Sequence, residues 1–529
     1  MSVSTAAPQM RAPDIQQSDS GHKDALRAKH AHAGVAMAVA TFAMAAASGI
    51  QAVLYLSSFG VGARTDGFFV AFALYATFGV FSQSIRVTSA PLLIGDRPRM
   101  TPRELAATLV LISLPVALLT IPLAGPFAHL LAPGIESSGR AVTQEALPVL
   151  GAAMVLQLWA AGGATLLAIR DRFDRVAFAY IVGAAAGLIV YLAVSGPAGE
   201  LSLGWSMLAM AVVTCVLMLA GVRESRPVES VVERSLSVRY VVGCVGVVLG
   251  RTAVYLVFNA LYLVTVAFAS GYDAGDATIL SYAYLFASYL VAGTGFALGM
   301  SRIADMHRGA QTDWREVIRD TVPPGFRYAM MLVAPALGAL VAGGAPLIGK
   351  VFPSSFHAHE VRQLQVFGAL LAAWTVAALL VNLLLPAMFA LDRARLVNIL
   401  ALPLMALHIA ATAIGGALFG ADGVVGAAFV APTCFAIVLL VVGAGRESGV
   451  IARELARDGV RFSLAAAVCF GIGAAVGSLA SGLGAGLIAI VVGSVLYLLM
   501  ATRLAPQQFQ LLVGAVRPAS ASASASASA

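Results

Sequence analysis

Apolar residues in this chain come in long, nearly unbroken runs, without strict alternation or narrow amphipathic stripes. A run of about 20 apolar residues wound as a helix covers the roughly 30 Å of a bilayer's hydrocarbon core. Charged or Gly/Pro-rich breaks separate fourteen such runs, from 34–57 and 67–94 through 105–131, 176–195 and 240–269 to 462–480 and 483–502. The pattern predicts an all-α polytopic membrane protein of fourteen transmembrane helices. The dyad alternation of an outer-membrane barrel is absent.

Composition agrees. Of 529 residues, 60% are hydrophobic and 11% charged, too little polar surface for a soluble globule of this size. The first 30 residues are polar and lack a short apolar segment before a cleavage site, so no removable signal peptide is expected. The tail from Pro518 repeats Ala and Ser and predicts disorder. Cys215, Cys244, Cys434 and Cys469 all fall inside apolar runs, too dispersed for metal spacing.

The net charge of +7 is distributed as in a membrane protein, not a nucleic-acid binder. Of 33 Lys and Arg residues, Arg64, Arg140, Lys350 and Arg362 fall on one side of the predicted membrane, and Arg86 and Arg251 lie inside runs. The remaining 27 fall on the other side, which the positive-inside rule makes cytoplasmic. Both termini are therefore expected inside, at a bacterial inner (plasma) membrane.

The two halves repeat. Asp66 opens the second run and Asp276 the eighth; GPFAHLLAP at 125–133 ends the third and GAPLIGKVFP at 344–353 the ninth. IRDRFDR at 169–175 is matched by LDRAR at 391–395. The expected organisation is an N-terminal tail (1–33), a first lobe (34–222), a linker (223–239), a second lobe (240–444), a connection (445–461), a C-terminal helix pair (462–502) and a disordered tail (503–529). Parallel repeats of this kind place a substrate path between the halves.

Polar residues inside the runs mark where that path runs, because lipid exposure is costly for them. Positions i, i+4, i+7 and i+11 share a helix face. The second run puts Tyr75, Gly79, Ser82, Arg86 and Ser89 on one stripe; the seventh puts Arg251, Tyr255, Asn259 and Tyr262 on another. The first run adds Thr41, Ser48, Gln51 and Tyr55, the eighth Ser281, Tyr284 and Ser288. Lone Ser, Thr and Tyr also serve ordinary helix packing, so both readings stand for the first and eighth runs. Arg251 lies 12 residues after Arg239, about 18 Å along a helix and near mid-membrane. Arg86 is shallower, and its two readings are a site residue or an arginine snorkelling to the interface. Asp66, Glu145 and Asp276 sit at run ends and no acid lies deep, so the cavity is expected to favour an anionic head group.

The segment GVGARTDGFFVAFALYATFGVFSQ at 60–83 resembles the G-x-G-x-x-x-D-A-F-F-V-A-F motif of the lipid II flippase (MurJ/MviN) family, with Asp66, Phe68, Phe69, Val70, Ala71 and Phe72 matching in place. The layout of six, six and two spans is similar as well, and the eighth run, 282–303, resembles its equivalent. The resemblance implies that the first, second, seventh and eighth spans line a central cavity, that the C-terminal pair flanks a lipid-tail groove, and that the substrate is a lipid-linked saccharide. The arginines with which that family holds pyrophosphate fall here on Ala45, Gln51, Gly79 and Leu285. Only the aspartate carries over.

The residues proposed for substrate are thus Arg251, Arg86, Asn259, Tyr255, Gln51, Ser82, Tyr75, Asp66 and Tyr284. The expected function is a flippase moving an anionic lipid-linked saccharide, with membrane lipid as its surroundings, as a monomer, with no cofactor and no nucleic acid. A multidrug or small-solute antiporter and a non-transporting envelope scaffold are the alternatives; no acidic catalytic motif or large loop supports an enzyme. GAPLIGKV at 344–351 resembles a phosphate-binding loop, but Val351 replaces the needed hydroxyl and no strand precedes it. FHAHE at 356–360 offers His357, His359 and Glu360, read as a solvated turn rather than a metal site.

Overall fold

A computed structural model describes residues 43–44, 46–93, 100–224, 237–296, 314–352, 356–390 and 393–510. Thr41, Ala45, residues 302–313 of the expected amphipathic connection and the far ends of both tails lie outside the described residues.

The described chain is helical throughout, with no strand, as the run pattern predicts. In chain order the helices are α1 (Ala46–Phe59), α2 (Ala63–Leu93), α3 (Pro102–Thr120), α4 (Ala124–Leu131), α5 (Ser137–Ala168), α6 (Phe173–Val194), α7 (Ser202–Glu224) and α8 (Val238–Ala269). They continue with α9 (Asp276–Val291), α10 (Trp314–Ala339), α11 (Ala345–Val351), α12 (Ala358–Ala390), α13 (Ala394–Ala427), α14 (Val430–Ala444), α15 (Ser448–Gly477) and α16 (Leu483–Leu504). Among the described residues, twelve helices are long and apolar enough to cross a membrane. Fourteen runs and twelve helices differ partly through joining. Val430–Gly477 counts as one stretch of 48 residues because only a single turn at Gly445–Glu447, with Gly445 at φ 57°, parts α14 from α15. The chain is a multi-pass membrane protein.

Local chemistry explains the breaks. Thr101 and Glu104 form a reciprocal capping box ahead of Pro102, which starts α3. The run 105–131 is interrupted after Thr120, and α4 follows as a short second piece. In α13 the chain turns at Gly420, whose φ of 63° lies in the left-handed region. Gly415 and Gly423 then meet so closely that a Cβ on Gly423 would lie 1.9 Å from the Gly415 carbonyl.

α2 is the centre of the molecule. Of its most apolar window 72% is buried, against 22% for α16, which is therefore peripheral. Phe68, Phe69 and Phe72 are buried in an aromatic cluster with Tyr55 of α1. Gly67 and Gly139 bring α2 and α5 to backbone contact, and the Thr143 hydroxyl donates to the Gly67 carbonyl at 2.8 Å. Small residues permit such approaches, which replace the hydrophobic drive that lipid does not supply.

Both segments matched in the sequence place an arginine on the end of a later helix. Arg170, between α5 and α6, donates to the Val222 carbonyl in the last turn of α7 (2.9 Å); Arg393, between α12 and α13, donates to Val442 in the last turn of α14 (2.7 Å). An arginine at a helix C-terminus satisfies a free carbonyl and complements the helix dipole. The second half also ties to the C-terminal pair through Arg327, which bridges Glu454 at 3.0 Å and buried Asp458 at 2.7 Å. Arg327→Met strands the Asp458 carboxylate. It is expected to cost about 2–3 kcal/mol, read as earlier thermal unfolding in detergent, while Arg319→Met on the exposed surface costs under about 1 kcal/mol.

Candidate functional site

A cavity of about 480 Å³ lies among α1, α2, α5, α6, α7 and α9 and reaches Leu340, Ile348 and Leu364 of the second half. It is lined mostly by carbon: aromatic rings from α2 and α9, methionines from α7, and small residues where helices approach. Its polar groups are amides and hydroxyls, and no charged side chain is among its lining residues. An apolar pocket with a few convergent polar groups is the form that small-molecule sites take.

The stripe read on α2 faces this cavity. Tyr75, Gly79 and Ser82 line it, with Gln51 of α1 opposite. Tyr75 and Gln157 of α5 are hydrogen-bonded to each other. Arg86, one turn beyond Ser82, is half-buried and turns back toward the cavity. Its Nη1 donates to Gln83 Oε1 at 2.8 Å and to the Tyr180 hydroxyl at 3.1 Å, and its guanidinium lies 5.5 Å over the Tyr180 ring. Gln83 and Tyr180 are both lining residues, so Arg86 is the positive charge at the cavity's edge.

The stripe on α8 is packed instead. Tyr255 stacks on Phe389 at 5.7 Å, and Tyr262 stacks on Tyr284 at 3.8 Å, with the Trp374 ring tilted against Tyr284 at 4.7 Å. Asn259 donates to the Tyr255 carbonyl at 2.8 Å within its own helix. Arg251 is half-buried, outside the cavity lining, and has no hydrogen-bond or ion-pair partner among the described residues. Beside it the Asn398 amide bonds both Gly250 O and Val254 N, occupying one rung of the α8 ladder. Tyr255, Tyr262, Tyr284, Asn259 and Arg251 are therefore not brought to the cavity.

Asp66 has a different place. It is 1% exposed, and its carboxylate accepts from Gly275 N (2.6 Å), Thr278 N (2.8 Å) and the Thr278 hydroxyl (2.6 Å). Gly275 is the N-cap of α9 and has no side chain to cap with; Asp66 of α2 supplies the cap from the other half. A carboxylate at a helix N-terminus is also favoured by the dipole. Phe69 and Tyr282, each within about one turn of this clamp, line the cavity. The clamp therefore lies about one turn from the cavity, on the side at which α2 and α9 begin. Asp276, the repeat-related acid, bonds Gln363 and its own Asp273 N–H.

Gln83, Gln157, Tyr180, Tyr282 and Tyr289 line the cavity without having been singled out in the sequence. A glutamine within the run VLQLW was an available signal; the tyrosines had none, since packing tyrosines elsewhere look the same. The FHAHE segment is not a turn but the start of α12, where Glu360 accepts from the His357 N–H at 2.8 Å, and no cluster of three metal-ligating side chains occurs among the described residues.

No protein-family model matches the sequence, and no curated protein matches it significantly. Solved structures do match in fold. The lipid II flippase MurJ in an inward closed conformation superposes with a TM-score of 0.65 at 15% identity, over 89% of this chain and 98% of that one. An inward-facing multidrug resistance MATE transporter of the MOP superfamily gives 0.58 at 15% identity, over 77% and 96%. A MOP superfamily transporter from Pyrococcus furiosus gives 0.52 at 15% identity, over 79% and 96%. This chain has the fold that the lipid II flippase and the MOP superfamily transporters share.

Proposed function

We propose that the protein is a membrane transporter that moves a lipid-linked saccharide with an anionic linkage across a bacterial inner membrane by alternating access. One observation carries the reading: a cavity inside the membrane-spanning bundle, with the Asp66 clamp about one turn from its lining and the Arg86 guanidinium at its edge, fixed by two cavity residues. Residues 34–222 and 240–444 act as the two lobes, rocking about the α2–α9 junction, and 462–502 flank them. Asp66 works on the gate, and Arg86 serves as counter-charge for the phosphate. Carboxylates that would carry protons against a cationic drug are absent from the lining residues, which favours the flippase over the antiporter. The protein acts as a monomer among membrane lipids.

Rescue of cells depleted of their lipid II flippase tests the reading. If lipid II is carried, wild type restores growth, Arg86→Ala lowers colony recovery at least ten-fold, and Arg251→Ala stays within about three-fold. Rescue lost with Arg251→Ala but kept with Arg86→Ala would transfer the counter-charge role to Arg251. Proton-linked export of cationic dyes by the purified protein would overturn the flippase in favour of the antiporter.

A further inference from the structure

The polar groups of the cavity have a specific deficit. Gln51 is 5% exposed, lines the cavity, and its amide has no hydrogen-bond partner among the described residues. The amide opens on the cavity, so a ligand that enters displaces water from it and has to match both its donor and its acceptor. Gln157 uses its amide nitrogen on Tyr75, and Gln83 uses its carbonyl on Arg86. On these three amides there remain Gln157 Oε1 as acceptor, Gln83 Nε2 as donor, and the whole Gln51 amide as both; the Tyr75 and Tyr180 hydroxyls, which accept in these bonds, keep their O–H as donors.

That mixture discriminates between head groups. A phosphate oxygen only accepts, so it would leave the amide carbonyls unpaired, and an ammonium only donates. A hydroxyl does both, and several on one ring match donors and acceptors arriving from α1, α2 and α5 together. The rest of the wall consists of flat apolar faces, among them Phe69, Phe72, Tyr282 and Phe286, suited to the C–H faces of a sugar ring. Arg86 stands at the edge, behind Gln83 and Tyr180.

We propose that the cavity is a saccharide subsite: it takes an uncharged, hydroxyl-bearing ring, while any phosphate on the ligand stays outside the cavity at the Arg86 edge. The assignment rests on the reading that substrate passes through this cavity, and it names the chemistry recognised there. A site built to hydrogen-bond hydroxyls rejects analogues that lack them far better than an apolar pocket rejects an extra methylene.

The test is binding, not transport. Full-length protein in phosphatidylcholine nanodiscs is titrated with radiolabelled octyl glucoside, and octyl phosphate, octyltrimethylammonium and free methyl glucoside compete. Octyl glucoside should bind saturably. Gln51→Leu and Gln157→Leu should each weaken it at least ten-fold, Gln51→Glu should fail to restore it, and octyl phosphate should not compete. Methyl glucoside competing as well as octyl glucoside assigns the subsite to a free sugar; much weaker competition assigns it to a glycolipid head. Octyl phosphate competing equally, or octyl glucoside binding unchanged in folded Gln51→Leu protein, would overturn the subsite. Glucoside binding in a protein that flips no lipid-linked sugar would leave the subsite standing and remove the transport reading. Flipping that ignores Gln51 and Gln157 would do the reverse.

Discussion

Asp66→Ala is expected to open the junction between α2 and α9. The substitution leaves the Gly275 N–H, the Thr278 N–H and the Thr278 hydroxyl without their acceptor in a buried place. Each stranded group costs about 1–3 kcal/mol, so the closed junction loses on the order of 3–5 kcal/mol. A loss of about 3 kcal/mol is a factor of over ~100 in the closed-to-open ratio. The measurement is labelling of a cysteine at Ser281, fully buried near the clamp, by a membrane-impermeant maleimide in an otherwise cysteine-free protein. Labelling should accelerate at least ten-fold with Asp66→Ala. Asp66→Asn keeps one acceptor oxygen and should fall between. Equal rates in all three proteins would mean that the clamp does not hold that junction closed.

Gly67→Ala is the second large effect, and it acts on assembly, not gating. An added Cβ would lie 1.9 Å from the Gly139 carbonyl oxygen and 2.8 Å from its Cα, all backbone that cannot rotate away. The helices must separate, which also stretches the Thr143–Gly67 bond. Overpacking usually costs 1–3 kcal/mol, and this contact belongs at or above about 3 kcal/mol because nothing flexible can yield. Purified variant should show a lower unfolding temperature and an aggregated fraction in size-exclusion chromatography. Gly196→Ala, where nothing lies within 4 Å, should behave as wild type. A Gly67→Ala protein as stable as Gly196→Ala would contradict the packing of α2 on α5.

These two residues also show what the sequence discloses. Asp66 stands out as a lone acid at the start of an apolar run within a recognisable motif, yet its role depends on α9, 209 to 212 residues away in sequence. The runs disclose the all-helical fold because lipid imposes length and apolarity on every span. The junction at Gly445–Glu447 is less legible, since a single turn at a glycine with φ of 57° parts α14 from α15 and the charged residues that follow lie in that turn and in the first turns of α15.

The site was half legible. Periodicity places Tyr75, Gly79, Ser82 and Arg86 on one face of α2, and three of them line the cavity, with Arg86 next to it. The same reasoning on α8 finds a stripe of equal quality that turns into ring stacking, Tyr262 on Tyr284 and Tyr255 on Phe389. Periodicity fixes which residues share a face; it does not fix what that face meets. Depth alone favoured Arg251, whereas the lateral contacts of Arg86 with Gln83 and Tyr180 decide its relation to the cavity. Gln157 and Tyr180, contributed by α5 and α6, become visible only once those helices are packed.

The central claim is that the cavity serves passage of a lipid-linked sugar across the bilayer. It is tested most directly with purified protein in liposomes holding a fluorescent polyprenyl-pyrophosphoryl sugar in both leaflets, bleached from outside by dithionite. The account predicts near-complete bleaching with wild type and loss of that gain with Arg86→Ala or Gln157→Leu. A fluorescent phosphatidylcholine in the same vesicles should keep its inner-leaflet half. A lipid-linked sugar that stops at the plateau of protein-free vesicles would contradict the account.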